Sequence, residues 1–235
     1  MKKLRLRRMA AVLFSFIVFG VLLASSQDMW QQAPSETENV QGVQTTASDA
    51  LAALDALEAK GRAPKTGYTR MQFGNGWTNV GGCDTRNIIL YRDLVDAQTD
   101  ETCKVMSGTL NDPYTGEVIA FVRGPQTSQL VQIDHVVALS NAWQTGAQGL
   151  TEQQRVALAN DPLNLLAVGG AANQQKSDGD AATWLPPNKP FRCQYVARQV
   201  AVKQKYSLWV TPAEKEAMIR VLRVCPGQAL PMEIK

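Results

Sequence analysis

His135 is the only histidine in the chain, and Asp134 stands directly before it in a largely apolar run, Val131-Gln132-Ile133-Asp134-His135-Val136-Val137-Ala138-Leu139. An imidazole with an ordinary pKa of about 6.5 can take a proton from water near neutral pH. Beside it, a carboxylate buried alone in an apolar strand is costly, so it calls for a metal ion or a charged partner. Neighbouring strand residues face opposite ways, so one of the two polar groups must turn inward. Downstream, Asn173 and Lys176 are three residues apart and Asn173 and Ser177 four apart, which puts them on one helical face. Together these residues describe a cleft holding a divalent cation. The plainer alternatives stay open: a lone histidine is commonly just a polar residue, and Lys176 with Asp178 reads equally well as a solvated helix end.

Several elements must position these groups. Residues 130–139 read as a strand and 163–168 as a second, with Gly169-Gly170 turning the chain into a segment over 171–177. Upstream, residues 105–110 and 117–122 are expected to form antiparallel strands, joined by Asn111-Asp112-Pro113-Tyr114-Thr115-Gly116, where Pro and Gly supply the turn. Leu51, Leu54 and Leu57 predict a helix over 50–60 that Gly61 stops, and residues 87–96 fit a short helix. Residues 67–82, rich in Gly, Asn and aromatic side chains, predict a loop pinned by ring packing. Thr151 with Gln154 forms a capping-box pattern for a helix to about residue 159, which Asp161-Pro162 ends. A helix over 193–206 follows, and Thr211-Pro212-Ala213-Glu214 opens another reaching residue 223. Trp143 and Trp184 are expected in the core.

Lys2, Lys3, Arg5, Arg7 and Arg8, followed by an uncharged apolar run over 10–24 and small residues at 24–26, have the form of an export signal. Residues 1–26 are therefore expected to be a signal peptide, with a retained membrane anchor as the minor alternative. Residues 27–48 are expected to be a flexible leader and 49–235 one domain. Five of the 24 Lys and Arg and none of the 21 Asp and Glu lie in the signal, so the mature chain is slightly acidic at 19 against 21. Affinity for nucleic acid would then need a local patch. The stretch 189–223 offers one, with Lys189, Arg192, Arg198, Lys203, Lys205, Lys215, Arg220 and Arg223 against Glu214 and Glu216. Export also places Cys83, Cys103, Cys193 and Cys225 in an oxidising compartment. The sequential pairing, Cys83 with Cys103 and Cys193 with Cys225, is favoured because each pair brackets a local unit. A zinc site is the weaker alternative, since the short spacings of structural zinc sites are missing. With one histidine and oxidised cysteines, a serine or cysteine hydrolase has no support.

Asp134-His135 on a strand, Asn164 opening a second strand, and Asn173 with Lys176 and Asp178 on a closing helix resemble the HNH, or ββα-metal, endonuclease motif in its His-Asn-Asn form. The wider stretch is similar to the exported HNH family called domain of unknown function 1524. That similarity covers roughly residues 67–225 and includes Gly82-Cys83-Asp84-Thr85-Arg86-Asn87, Asp112-Pro113-Tyr114-Thr115-Gly116 and Trp184-Leu185-Pro186-Pro187. The resemblance implies an α+β fold: a ββα-metal core over 130–180, an added N-terminal hairpin and C-terminal helices, braced by disulfides. It implies His135 as general base, Asp134 and Asn173 as ligands of one divalent ion, and Asn164 as the holder of the loop around His135. Asn173 stands where the family more often has a second histidine, and a neutral carboxamide oxygen favours Mg2+ or Mn2+ over Zn2+. Lys176 is expected to contact phosphate. Arg86 is expected to reach the scissile phosphate, with a salt bridge to Asp84 or Asp93 as its alternative. The implied activity is hydrolysis of DNA, with RNA also in reach, at low sequence specificity by a secreted monomer without stable membrane association. Whether a protective protein inhibitor is a further partner is left open by the sequence. The alternative of another class is a catalytically silent secreted module that binds nucleic acid or other polyanions.

Overall fold

The computed structural model describes residues 49–231. The expected signal peptide and leader lie outside the described residues. Helix α1 (Ala50–Ala56) leads to a 3-10 turn (Arg70–Phe73) and to β1 (Asn79–Val80), which pairs with β2 (Cys83–Asp84). Helix α2 (Thr85–Asp93) is followed by an antiparallel sheet of β3 (Leu94–Thr99), β4 (Val105–Asn111) and β5 (Val118–Val122). Then come β6 (Val131–His135), α3 (Leu139–Gln144), α4 (Glu152–Asn160), β7 (Leu165–Gly169) and α5 (Gly170–Lys176). Helices α6 (Arg192–Lys205) and α7 (Pro212–Leu222) complete the described chain. The fold is α+β, as expected, and among the described residues no helix is long and apolar enough to cross a membrane.

The antiparallel β6–β7 pair is the centre of the arrangement, in a register that sets His135 opposite Leu165 and Asp134 opposite Leu166. Both of its faces are buried. Val131, Ile133, Leu165 and Ala167 pack with Ile89, Leu90, Val105, Leu110 and Phe121 of α2 and the three-stranded sheet. Leu166 and Val168 pack on the other side with Ala172, Tyr195, Val196, Val200 and Met218. Alternate residues of a strand serve opposite faces, so two-sided burial explains why these segments are apolar almost throughout. The outer edge of β7 is closed by the end of α2: Asp93 Oδ2 accepts the Ala167 N–H at 2.8 Å, and Arg92 donates to Leu165 O at 2.8 Å. Those bonds satisfy ladder groups that a two-stranded sheet leaves open.

Strand β6 is shorter than the expected 130–139. Its pairing runs out after Val136, whose N–H still reaches Asn164 O at 2.8 Å, and Ala138 then serves as the N-terminal cap of α3. The turn from β7 into α5 depends on glycine, because a Cβ on Gly170 would lie 2.1 Å from Gln129 O. Helix α1 also stops early: Leu57 is extended, and residues 58–60 pair with Val210 instead. The capping boxes at Thr151–Gln154 and Thr211–Glu214 both form.

Two disulfides, Cys83–Cys103 and Cys193–Cys225, brace the scaffold in the expected pairs, which removes the zinc alternative. Between α6 and α7 the buried Lys203 ammonium contacts Glu214 at 3.1 Å and donates to Trp209 O at 2.9 Å. Burial pulls the Lys203 pKa down and pushes that of Glu214 up, while each charge works against the other's shift. Replacing Lys203 by Met strands a buried carboxylate, so the single variant should lose about 3–5 kcal/mol of stability in urea unfolding. The double replacement Lys203→Met with Glu214→Leu should recover much of that loss. A single variant as stable as wild type would contradict the role of this pair.

Candidate active site

The strand alternation sends Asp134 and His135 to different surroundings, and both are buried, at 5% and 7% exposure. Asp134 turns toward α5. Its Oδ1 accepts from the Lys176 ammonium at 2.9 Å, and its Oδ2 accepts from the Tyr114 hydroxyl at 2.5 Å. Lys176 also donates to His135 O at 2.9 Å and is 1% exposed. Burial raises the Asp134 pKa, and Lys176 and Tyr114 oppose that shift by favouring the charged carboxylate. Tyr114 comes from the turn between β4 and β5, where its buried ring packs against Trp184 and Tyr195 at 4.9 and 5.6 Å between centroids. Burial, then the Asp134 charge, pushes its phenol well above the ordinary range, so it remains a proton donor.

His135 turns toward α4 and the 70–77 loop. Its Nε2 is 2.9 Å from Ala159 O, and its ring lies nearly parallel to Trp77, at 7° and 5.8 Å between centroids. A carbonyl can only accept, so this contact puts the proton on Nε2 and leaves Nδ1 with the lone pair. Burial is the main cause of a pKa lowered to about 4, with the Arg70 and Lys176 charges adding to it. The imidazole is therefore neutral at pH 7. Asn164, fully buried, clamps the backbone just beyond: its Oδ1 accepts the Val137 N–H at 2.8 Å, and its Nδ2 donates to Val137 O and Leu158 O, each at 3.3 Å.

A cavity of about 470 Å3 opens at this point, lined by Asp134, His135, Gln132, Asn173, Ser140 and Asp178 together with Lys65, Tyr68 and Arg70. On α5, Asn173 donates its amide N–H to Gln132 Oε1 at 2.8 Å, and its carboxamide oxygen has no hydrogen-bond partner among the described residues. A carboxylate offers about four lone-pair directions. Donors from Lys176, Tyr114 and the His135 backbone N–H thus still leave acceptor capacity where the residue lines the cavity. Among the described residues no three His, Cys, Asp or Glu side chains gather into a metal site. One carboxylate and one carboxamide, completed by water or phosphate, is nonetheless a donor set that suits Mg2+.

The structure thus brings together His135, Asp134, Asn173 and Asn164, but not the two expected phosphate contacts. Lys176 is neither a solvated helix end nor a wall of the cavity, because its ammonium is enclosed against Asp134. Nor does Asp178 hold Lys176; it takes Lys65 at 3.1 Å and the Ser140 hydroxyl at 3.2 Å. The Arg86 guanidinium is half-buried and directed at Val131 O, 3.4 Å away, and neither Asp84 nor Asp93 forms a salt bridge with it. The basic stretch 189–223 is partly used internally too: Lys203 is buried, Lys205 pairs with Asp161 at 2.8 Å, and Lys215 donates to Asp55 O and Leu57 O. Tyr114, Trp77 and Gln132 are the contributors that the sequence reading did not single out. Of these only Tyr114 carried a signal, as a large aromatic residue in a turn otherwise made of small and polar groups.

A search of solved structures finds no match to this chain. A relative from Arthroderma benhamiae, named only as an uncharacterized secreted protein, is 38% identical over 182 residues, covering 77% of this chain and 86% of the relative. The family model described as the C-terminal domain of GmrSD restriction endonucleases matches residues 84–221, a span that takes in α2, the β6–β7 pair, α5 and most of α7. The chain belongs to the family of GmrSD restriction endonuclease C-terminal domains.

Proposed function

We propose that this protein is an exported, metal-dependent endonuclease of the HNH type, which hydrolyses phosphodiester bonds of DNA, and also of RNA, with low sequence specificity. The observation that carries the reading is the lone imidazole. It is neutral, tied through Nε2 to Ala159 O, and shares one cavity with the Asp134 carboxylate and the free Asn173 carboxamide oxygen. Membership in a nuclease family supports a nucleic-acid substrate, and the secreted relative supports export.

His135 accepts a proton from the attacking water at Nδ1, and Ala159 O keeps the ring in the tautomer that allows it. Asn164 fixes the backbone after β6, so the imidazole cannot swing with the Val137 loop. Asp134 and Asn173 would hold the cation, and Lys176 with Tyr114 keep the Asp134 carboxylate ionised and aimed. Bound there, Mg2+ or Mn2+ supplies positive charge against the phosphate and its leaving oxygen. Low selectivity is part of this reading because the motif supplies a metal site and a base without a base-reading module.

The purified disulfide-bonded protein should nick and cut supercoiled plasmid in Mg2+ or Mn2+ and stop in EDTA. His135→Ala should lose about 10²- to 10⁴-fold in turnover while still binding metal. DNA retained in a mobility shift without chelator-sensitive cutting would instead mark a binding module. Because the chain has a single histidine, NMR of the metal-free protein reads this imidazole alone. The ring should show the Nε2–H tautomer at pH 7 and titrate near 4. An unfolded chain protonates its histidine near 6.5. Stability should accordingly fall as pH drops from that value toward 4, since over this window only the unfolded state takes up the proton. A ring titrating near its ordinary value would contradict the enclosed geometry.

A further inference from the structure

With Lys176 and Arg86 turned away, phosphate would need another cation on the wall of the cavity that Asp134 and Asn173 line. Two basic side chains stand there, Lys65 and Arg70. Lys65 is already engaged, bonded to Asp178 at 3.1 Å. Arg70 is exposed and, among the described residues, has neither an acidic partner nor a hydrogen bond. It also stands where two cavities meet: it lines the larger one with Asp134 and Asn173, and a smaller one of about 150 Å3 with Phe73, Trp77 and Leu139. His135 is common to both walls.

The mount of Arg70 is fixed although its side chain is free. It begins the 3-10 turn Arg70–Phe73, and Phe73, 2% exposed, packs edge-on to Trp143 and Tyr68 with centroids 6.3 Å apart in each case. Arg155 of α4 grips the same turn, donating to Gln72 O at 2.8 Å and to Gln72 Oε1 at 3.2 Å. Helix α4 also supplies Ala159 O, which orients His135. One helix thus fixes both the imidazole and the turn that carries the guanidinium. A planar guanidinium presents paired donors matched to phosphate oxygens.

We infer that Arg70 is the phosphate-binding residue of this site, its guanidinium donating to the non-bridging oxygens of the scissile phosphodiester in the cavity that Asp134 and Asn173 also line. The inference rests on the nuclease reading above. Such a contact strengthens as charge builds on those oxygens during attack, so it acts on turnover more than on initial binding.

Plasmid cleavage in Mg2+ by the full disulfide-bonded protein is compared for wild type, Arg70→Ala, Arg70→Lys and His135→Ala, with Mn2+ binding followed by electron paramagnetic resonance. Arg70→Ala should lower kcat by about 10²- to 10³-fold, the range for loss of one preorganised donor, with Mn2+ binding and circular dichroism unchanged. Arg70→Lys should retain more activity than the alanine variant, and guanidinium ion at a non-denaturing concentration should restore part of the loss to Arg70→Ala. If Arg70→Ala cuts at the wild-type rate while His135→Ala is dead, Arg70 is not the phosphate contact and the nuclease reading stands. A defect confined to KM that vanishes at high salt would make Arg70 a distant steering charge and likewise overturn the assignment. Wild-type protein that cuts nothing would overturn both.

Discussion

The structure turns on one buried carboxylate. Asp134 sits on a strand covered on both faces, where an unpartnered charge would be expelled or neutralised. Lys176 supplies the countercharge and Tyr114 a second donor, so the carboxylate is held from the helix that follows β7 and from the turn between β4 and β5 at once. These bonds link three segments distant in sequence. The same Lys176 ammonium also binds His135 O, which ties the backbone of the histidine to the charge beside it.

Around that carboxylate, the β6–β7 pair works as a rigid plate between two apolar clusters. Its alternation delivers Asp134 to one side and His135 to the other, and the cavity forms at the end of β6, where pairing stops. Three groups there are fixed by the protein rather than by solvent: the imidazole by Ala159 O and the Trp77 ring, the following loop by Asn164, the Asn173 amide by Gln132. Among the described residues, an oxygen of Asn173 and the Arg70 guanidinium line the cavity without a hydrogen-bond partner, an acceptor and a donor bordering a common space. A site with that division of charge suits a cation and an anion together.

Much of this was legible in the sequence where local chemistry dictates the answer. The two capping boxes, the hairpin turn through Pro113 and Gly116, the apolar segments on either side of α4 and the sequential disulfides depend on neighbours or near neighbours. Side-chain destinations were less legible. Helical spacing put Lys176 on the face of Asn173, yet a long side chain on a short helix can fold inward, and the attraction of Asp134 decided the matter. Arg86 is expected at the scissile phosphate, but its guanidinium turns to the carbonyl of Val131 instead. The basic stretch over 189–223 counted charges without their partners, and Lys203 proved to be core. Arg70 drew no notice because it belongs to an irregular loop, where no periodicity marks which way a residue faces.

Anomalous diffraction from crystals of the protein soaked in Mn2+ addresses the central arrangement most directly. The account predicts one manganese peak in the cavity, within coordination distance of an Asp134 carboxylate oxygen and the Asn173 carboxamide oxygen, on the side facing the His135 ring. A cavity without manganese, or an ion bound elsewhere with Asp134 still closed between Lys176 and Tyr114, would show that the carboxylate serves the fold alone.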